Sequence, residues 1–424
     1  MKILIKNGRV IDPSQDIDAH QELLIEEDKI NGLYPKGKGP KSDRVIDAAD
    51  CIVIPGLVDM HSHLREPGFE YKETIKTGSM AALKGGFTSL CCMPNTKPIN
   101  DNIAVTEFII EKALKEGACT VYPVGAITKG QRGKELTELE NLKKTGCVSF
   151  SDDGKPVTNS LIMRRALEYS KIFDVPLISH CEDLSLSEGG VINEGFISTI
   201  LGLKGIPKAA EEIMVARDIA LCELTGGRLH IAHVSTEGSV KLIREAKARG
   251  INITAETCPH YFCLTDESLK DYNTNLKVNP PLRTDKDVEA IKQGLKDGTI
   301  DIIATDHAPH HTDDKNKEFD VAAFGISGLE TAFALSLQLV EQKVLNLKQL
   351  IKKMTITPSK IMKIKKGSLA HNADADIAII NSEKKFIVDS SGFLSKGKNT
   401  PFDRWHLKGT VEKTISMGKV HEWT

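Results

Sequence analysis

The stretch Asp59-Met60-His61-Ser62-His63-Leu64-Arg65-Glu66-Pro67-Gly68 places three chemically capable side chains within five residues. Histidines one residue apart on a strand share a face, because side chains alternate with a period of two. Paired imidazoles at a strand end suit a divalent metal such as zinc. Arg65 follows two residues on, and its planar cation suits a substrate carboxylate. The Pro67-Gly68 turn closes the segment. Taken alone, a His-x-His pair can equally cap a surface strand, so its meaning depends on its company.

That company stands at the ends of other apolar runs. Asn95 lies in Met93-Pro94-Asn95-Thr96, Asp153 in Phe150-Ser151-Asp152-Asp153-Gly154, and His180 in Leu177-Ile178-Ser179-His180-Cys181-Glu182. His233 lies in His230-Ile231-Ala232-His233-Val234-Ser235, and Asp306 in Ala304-Thr305-Asp306-His307-Ala308-Pro309-His310. Four histidines (61, 63, 180 and 233) with Asp153 and Asp306 can hold two divalent ions, with Asp153 placed to bridge them. Strand alternation forces two choices. His230 and His233 face opposite sides, so His233 is assigned to the site and His230 to the outer helix layer. Asp152 and Asp153 also diverge, and Asp153 is the inward one. His307 faces away from Asp306 and reads as structural. A divalent pair activates water and polarises a carbonyl. Asp306 can move the proton to a leaving nitrogen, which amounts to amide hydrolysis or its reverse. Arg65, Asn95, Asn279 and His310 suit a small anionic substrate with amide edges. Asn279, in Val278-Asn279-Pro280-Pro281, reads equally well as a turn residue.

The elements that must position these groups can be read from the alternation of patterns. Apolar runs end near His63, Pro94, Ile127, Asp153, Cys181, Ser235, His260 and Pro309. Helical stretches separate them, among them Tyr71–Lys84, Ala104–Glu116, Ser160–Phe173, Ala209–Thr225, Val240–Ala248 and Lys286–Lys296. Gly85, Gly117, Gly226 and Gly250 stand just past helix ends. Eight such units over roughly 300 residues make a (β/α)8 barrel, whose catalytic groups sit at the C-terminal strand ends. A doubly wound sheet gives a similar alternation but one crevice, whereas here each strand end is polar. Short strand patterns fill both termini: Ile3-Leu4-Ile5, Glu22–Ile25 and Arg44–Asp47 at one, Ala375–Ile380, Lys385–Val388 and Val411–Ile415 at the other. Neither end has strands enough for a stable sheet, so one small β-sandwich-like module from both termini is expected. The expected division is 1–55 and 366–424 for that module and 56–365 for the barrel.

Composition narrows the classes. The chain has 424 residues, with 56 Lys and Arg against 58 Asp and Glu, so no strong field points to nucleic acid or an anionic membrane. No run approaches the ~18 apolar residues of a membrane helix, and Met1–Gly8 has no apolar core suited to a signal peptide. Nine scattered cysteines without a Cys-x-x-Cys pair read as reduced thiols. A cytoplasmic globular enzyme is expected.

The segments 61–68, 93–96, 150–154, 230–235 and 304–310 together closely resemble the class I bacterial dihydroorotases, cyclic amidohydrolases of the amidohydrolase superfamily. The resemblance spans essentially the whole chain. It implies reversible cyclisation of N-carbamoyl-L-aspartate to L-dihydroorotate in de novo pyrimidine synthesis. It implies zinc, one or two ions per subunit with two favoured: His61 and His63 on one, His180 and His233 on the other, Asp153 bridging, Asp306 as ligand and general acid/base, and a metal-bound hydroxide completing the pair. Arg65, Asn95 and His310 would hold the substrate carboxylate and Asn279 the ring amide, with backbone contacts at Phe324 and Gly325. Several relatives carry Pro where this chain has Phe324. The polar segment His311–Lys317 suits a lid. Hydantoinases, dihydropyrimidinases and typical allantoinases bridge their metals with a carboxylated Lys at the fourth strand, and Cys147–Asp153 contains none. A hydantoinase or allantoinase activity is the alternative within this chemistry, and a catalytically silent scaffold is the alternative outside it. A homodimer and association with an aspartate carbamoyltransferase remain open expectations.

Overall fold

Short runs of Ile, Leu and Val punctuated by Asn, Asp and Gly turns favour strands at both termini. In the computed structural model, which describes residues 1–423, nine strands drawn from both ends of the chain form one sheet. Six lie between Lys2 and Pro55; the others are Ile377–Ile387, His406–Ser416 and Lys419–Glu422. The two ends meet where Ile52–Pro55 pairs antiparallel with Ile377–Ile380, Ile54 standing opposite Ala378. Ile3, Ile5, Leu23, Ile25, Val53 and Ile377 pack there in one core. The expected strands Ala375–Ile380 and Lys385–Val388 are in fact one strand, Ile377–Ile387, irregular between Asn381 and Lys385.

Gly56 leads directly from this sheet into the barrel. Its strands are Leu57–Ser62, Phe87–Cys92, Thr120–Gly125, Ser149–Ser151, Leu177–Ser179, Leu229–Ile231, Ile253–Thr257 and Ile302–Ile303, each parallel to the next. A bridge between Ser62 and His307 closes the eighth strand onto the first. Asp59 reinforces that seam by accepting from the Thr305 N–H at 3.0 Å and Oγ1 at 2.6 Å. Met60, Cys91, Val124, Ile178, Ala232 and Ile302 fill the interior, while their strand neighbours pack outward beneath the helices.

The helices include Ile75–Lys84, Ile103–Glu116, Ser160–Ser170, Ala209–Thr225, Glu237–Ala248 and Asp285–Asp297. The first starts four residues later than its apolar pattern suggests, because Thr74 caps it through Thr77 N–H. Residues 65–73 are thereby left as a loop at the barrel mouth. Gly226 takes the left-handed conformation of a helix end, φ 65°. Gly85 does not, at φ −82°; it is required because a Cβ would lie 2.2 Å from the Leu329 carbonyl oxygen. Among the described residues no helix is long and apolar enough to cross a membrane, and all nine cysteines are free.

Candidate active site

The C-terminal strand ends converge on a cleft of about 300 Å³, a size suited to a small ligand. His63, Arg65, Asn95, Asp153, His180, His233, Asn279, Asp306, His310, Phe324 and Gly325 line it, and His61 lies fully buried just beneath. All twelve residues singled out in the sequence thus come together. His61 Nε2 stands 3.4 Å from Asp153 Oδ1 and 3.5 Å from Asp306 Oδ1. His63 Nε2 is 3.1 Å from Asp306 Oδ1 and 3.5 Å from Asp153 Oδ2. On the other side, Asp153 Oδ1 is 3.6 Å from His180 Nδ1 and 3.5 Å from His233 Nε2, and those two nitrogens are 2.9 Å apart.

These spacings fit a metal. Two ligands of one tetrahedral zinc, each about 2.0–2.1 Å from it, stand roughly 3.3 Å apart. Most of the distances here cluster near that value and are long for hydrogen bonds. His61 Nε2 and Asp153 Oδ1 are buried without hydrogen-bond partners, which fits atoms that ligate an ion. Two sets, His61-His63-Asp306 and His61-Asp153-His233, bring one donor atom each within 4.8 Å of one another. They share His61, while Asp153 turns Oδ1 toward His61, His180 and His233 and Oδ2 toward His63. Cys258, His260 and Asp306 form a third set. Burial raises the Cys258 thiol well above its usual range.

Buried partners orient the histidines. Glu256 accepts from His61 Nδ1 at 2.6 Å, Glu182 from His180 Nε2 at 2.9 Å, and Asn95 Oδ1 from His63 Nδ1 at 2.9 Å. Burial pushes the Asp153 and Asp306 carboxyls up, but the neighbouring histidines outweigh it and hold both below the usual carboxylate range, most strongly Asp153. Burial pushes the Glu182 carboxyl up, but His180, with Ser187 and Asn279, brings it down to about 2. Three site residues hold left-handed backbone: Arg65 at φ 62°, His233 at φ 32° and Asp306 at φ 46°. For non-glycine residues that conformation costs about 1–3 kcal/mol each, tolerated where the surroundings fix a functional geometry.

At the other end of the cleft, Arg65 Nε donates to the Pro309 carbonyl at 3.2 Å and its Nη2 lies 3.3 Å from His310 Nε2. Asn279 Nδ2 donates to Glu182 Oε2 at 3.0 Å, which leaves its Oδ1 as the free acceptor. The backbone at Phe324 and Gly325 is already engaged: His310 Nε2 lies 2.8 Å from the Phe324 carbonyl, and Gly325 N–H donates to the Lys277 carbonyl. The polar segment after the eighth strand holds a short helix, Thr312–Lys315. Lys315 is buried, with Nζ donating to the Ala323 and Gly325 carbonyls.

His230 departs from expectation. It does not face the helix layer but lies inside the barrel, its Nε2 3.1 Å from Glu256 Oε2 and its Nδ1 2.8 Å from Thr254 Oγ1. Strand alternation fails as a guide because the strand ends at Ile231 and His233 turns inward through its left-handed backbone. Asp152 diverges from Asp153 as read, accepting from the Ile127 and Thr128 N–H groups, and His307 accepts from Gly328 N–H at 3.2 Å, away from the cleft. Glu182 and Glu256 were not singled out. Their signal was a carboxylate two residues past His180, and one inside the otherwise uncharged strand Ile253–Thr257.

The fold is that of the hydantoinase-type amidohydrolase barrels. A solved L-hydantoinase (dihydropyrimidinase) from Arthrobacter aurescens superposes with a TM-score of 0.89 over 100% of this chain and 97% of its own, at 23% identity. A family model described as dihydro-orotase-like matches residues 50–239. A dihydroorotase of Syntrophus aciditrophicus (strain SB) is 56% identical over 421 residues, 99% of each chain. One of Geobacter metallireducens is 56% identical over 420 residues, again 99% of each. The chain belongs to the dihydroorotase family.

Proposed function

We propose that this enzyme is a zinc-dependent dihydroorotase of de novo pyrimidine synthesis, interconverting N-carbamoyl-L-aspartate and L-dihydroorotate. The observation that carries the reading is Arg65, which places a half-buried guanidinium in the same small cleft as the histidine–aspartate cluster. A neutral cyclic amide carries no anion to pair with that cation, whereas dihydroorotate carries a carboxylate. His61 and His63 would hold one zinc, His180 and His233 the other, with Asp153 between them and Asp306 completing the set. When bound, zinc supplies Lewis-acid polarisation and makes water acidic near neutral pH. Arg65, with Asn95 and His310, fixes the carboxylate end. Asn279 Oδ1, with its amide committed to Glu182, accepts a ring N–H. The histidines around Asp306 keep it ionised, so its carboxylate takes a proton during ring opening and returns it to the leaving nitrogen. Ring closure runs the same proton path backwards. Buried, free thiols fit a reducing, cytoplasmic setting.

Dihydroorotate, hydantoin and allantoin assayed side by side test the reading. Turnover of dihydroorotate alone is expected. Preferential hydrolysis of hydantoin or allantoin would overturn it.

A further inference from the structure

Lys72, on the loop before the first barrel helix, lies behind His310. Its Nζ is 3.2 Å from His310 Nδ1 and 3.1 Å from Asp314 Oδ2, and its side chain is 15% exposed. An ammonium donates and cannot accept, so His310 Nδ1 must be the acceptor. A neutral imidazole then carries its proton on Nε2 and donates it to the Phe324 carbonyl at 2.8 Å. Burial, followed by the charges of Arg65, Lys72 and Lys315, keeps this imidazole neutral by holding its pKa well below the ordinary histidine value. In that tautomer Nε2 offers no lone pair to Arg65 Nη2, 3.3 Å away. Arg65 Nη2 and the His310 Nε2–H therefore face one region of the cleft, and a carboxylate oxygen entering there can accept from Arg65 and share the Nε2 proton with the Phe324 carbonyl. Asp314 Oδ2 also lies 3.7 Å from His310 Nδ1. Without Lys72, Asp314 would draw the proton onto Nδ1; Nε2 would then accept from Arg65, and the donor pair would be lost.

We propose that Lys72 is a positioning residue for the substrate carboxylate: it fixes His310 as the Nε2–H tautomer and, through Asp314, ties the segment after the eighth strand to that setting. This rests on the dihydroorotase reading for the identity of the anion, while the tautomer itself does not. The test is the imidazole nitrogen spectrum of the chain labelled with 15N-histidine, with His310 assigned by His310→Asn, alongside dihydroorotate kinetics. The native chain should show Nδ1 unprotonated and Nε2 protonated. Lys72→Met should reverse the two and raise KM by about tenfold or more with little change in kcat. Lys72→Arg should keep the native pattern, and adding Asp314→Asn to Lys72→Met should move pattern and KM back toward native. A protonated Nδ1 in the native chain, or an unchanged tautomer in Lys72→Met whatever its KM, would overturn the proposal. If Lys72→Met does not fold, the native spectrum and Lys72→Arg still decide. A native chain with no dihydroorotate turnover would refute the functional reading instead, leaving the tautomer result to stand or fall separately.

Discussion

Asp306 and Arg65 divide the labour of the cleft between them. Asp306 lies against His61 and His63 and stays ionised despite its burial, as a proton acceptor must. Asp306→Asn keeps one oxygen ligand but removes the base. Turnover should fall by about 10²–10⁴-fold while bound zinc, read by elemental analysis, is largely retained. Native-like kcat would end the acid/base assignment. Arg65 faces the opposite wall, where its charge serves binding. Arg65→Ala should lower kcat/KM for dihydroorotate by about 10–100-fold, the loss of a charge-assisted contact, chiefly through KM. An equal loss on hydantoin-type substrates would show that Arg65 does not read the carboxylate.

At the scale of elements, six of the eight strand ends, all but the third and seventh, deliver the groups of the mouth, and carboxylates buried below hold imidazoles at their angles. Glu256 serves two histidines at once, His61 at 2.6 Å and His230 at 3.1 Å. Glu256→Gln should weaken zinc binding by about 10–100-fold in competition with a chelator; unchanged affinity would assign Glu256 to barrel packing alone. The groups at the mouth were legible in the sequence because they follow apolar runs of strand length, and the barrel followed from the count of those runs. The supporting layer was less legible. Period-two alternation holds only inside a strand, so it misplaced His230 once His233 had left the strand with φ 32°. Glu256 looks like any strand residue until the neighbouring strand brings His61 beside it. The His311–Lys317 segment read as polar and mobile, yet Lys315 is buried beneath backbone carbonyls that its position in the chain does not reveal.

Over the whole molecule, the terminal sheet and the barrel share a continuous strand path through Gly56, and Asp59 locks the first strand to the eighth. At that seam burial outweighs the two Thr305 donors and the His61 N–H and leaves the Asp59 carboxyl raised to about 7. The rigid mouth that results serves a reaction whose balance is set by protons. Ring closure joins a carboxylate to a ureido nitrogen and takes up one proton. At neutral to alkaline pH the equilibrium ratio of dihydroorotate to carbamoyl aspartate should therefore fall about tenfold per pH unit, about 1.4 kcal/mol. A pH-independent ratio would contradict the chemistry. The account turns most directly on metal content measured together with dihydroorotate turnover, before and after chelation. It predicts one to two zinc ions per chain, with activity lost on removal and recovered on zinc addition. Full turnover by a metal-free chain, or a zinc-loaded chain that leaves dihydroorotate untouched, would contradict it.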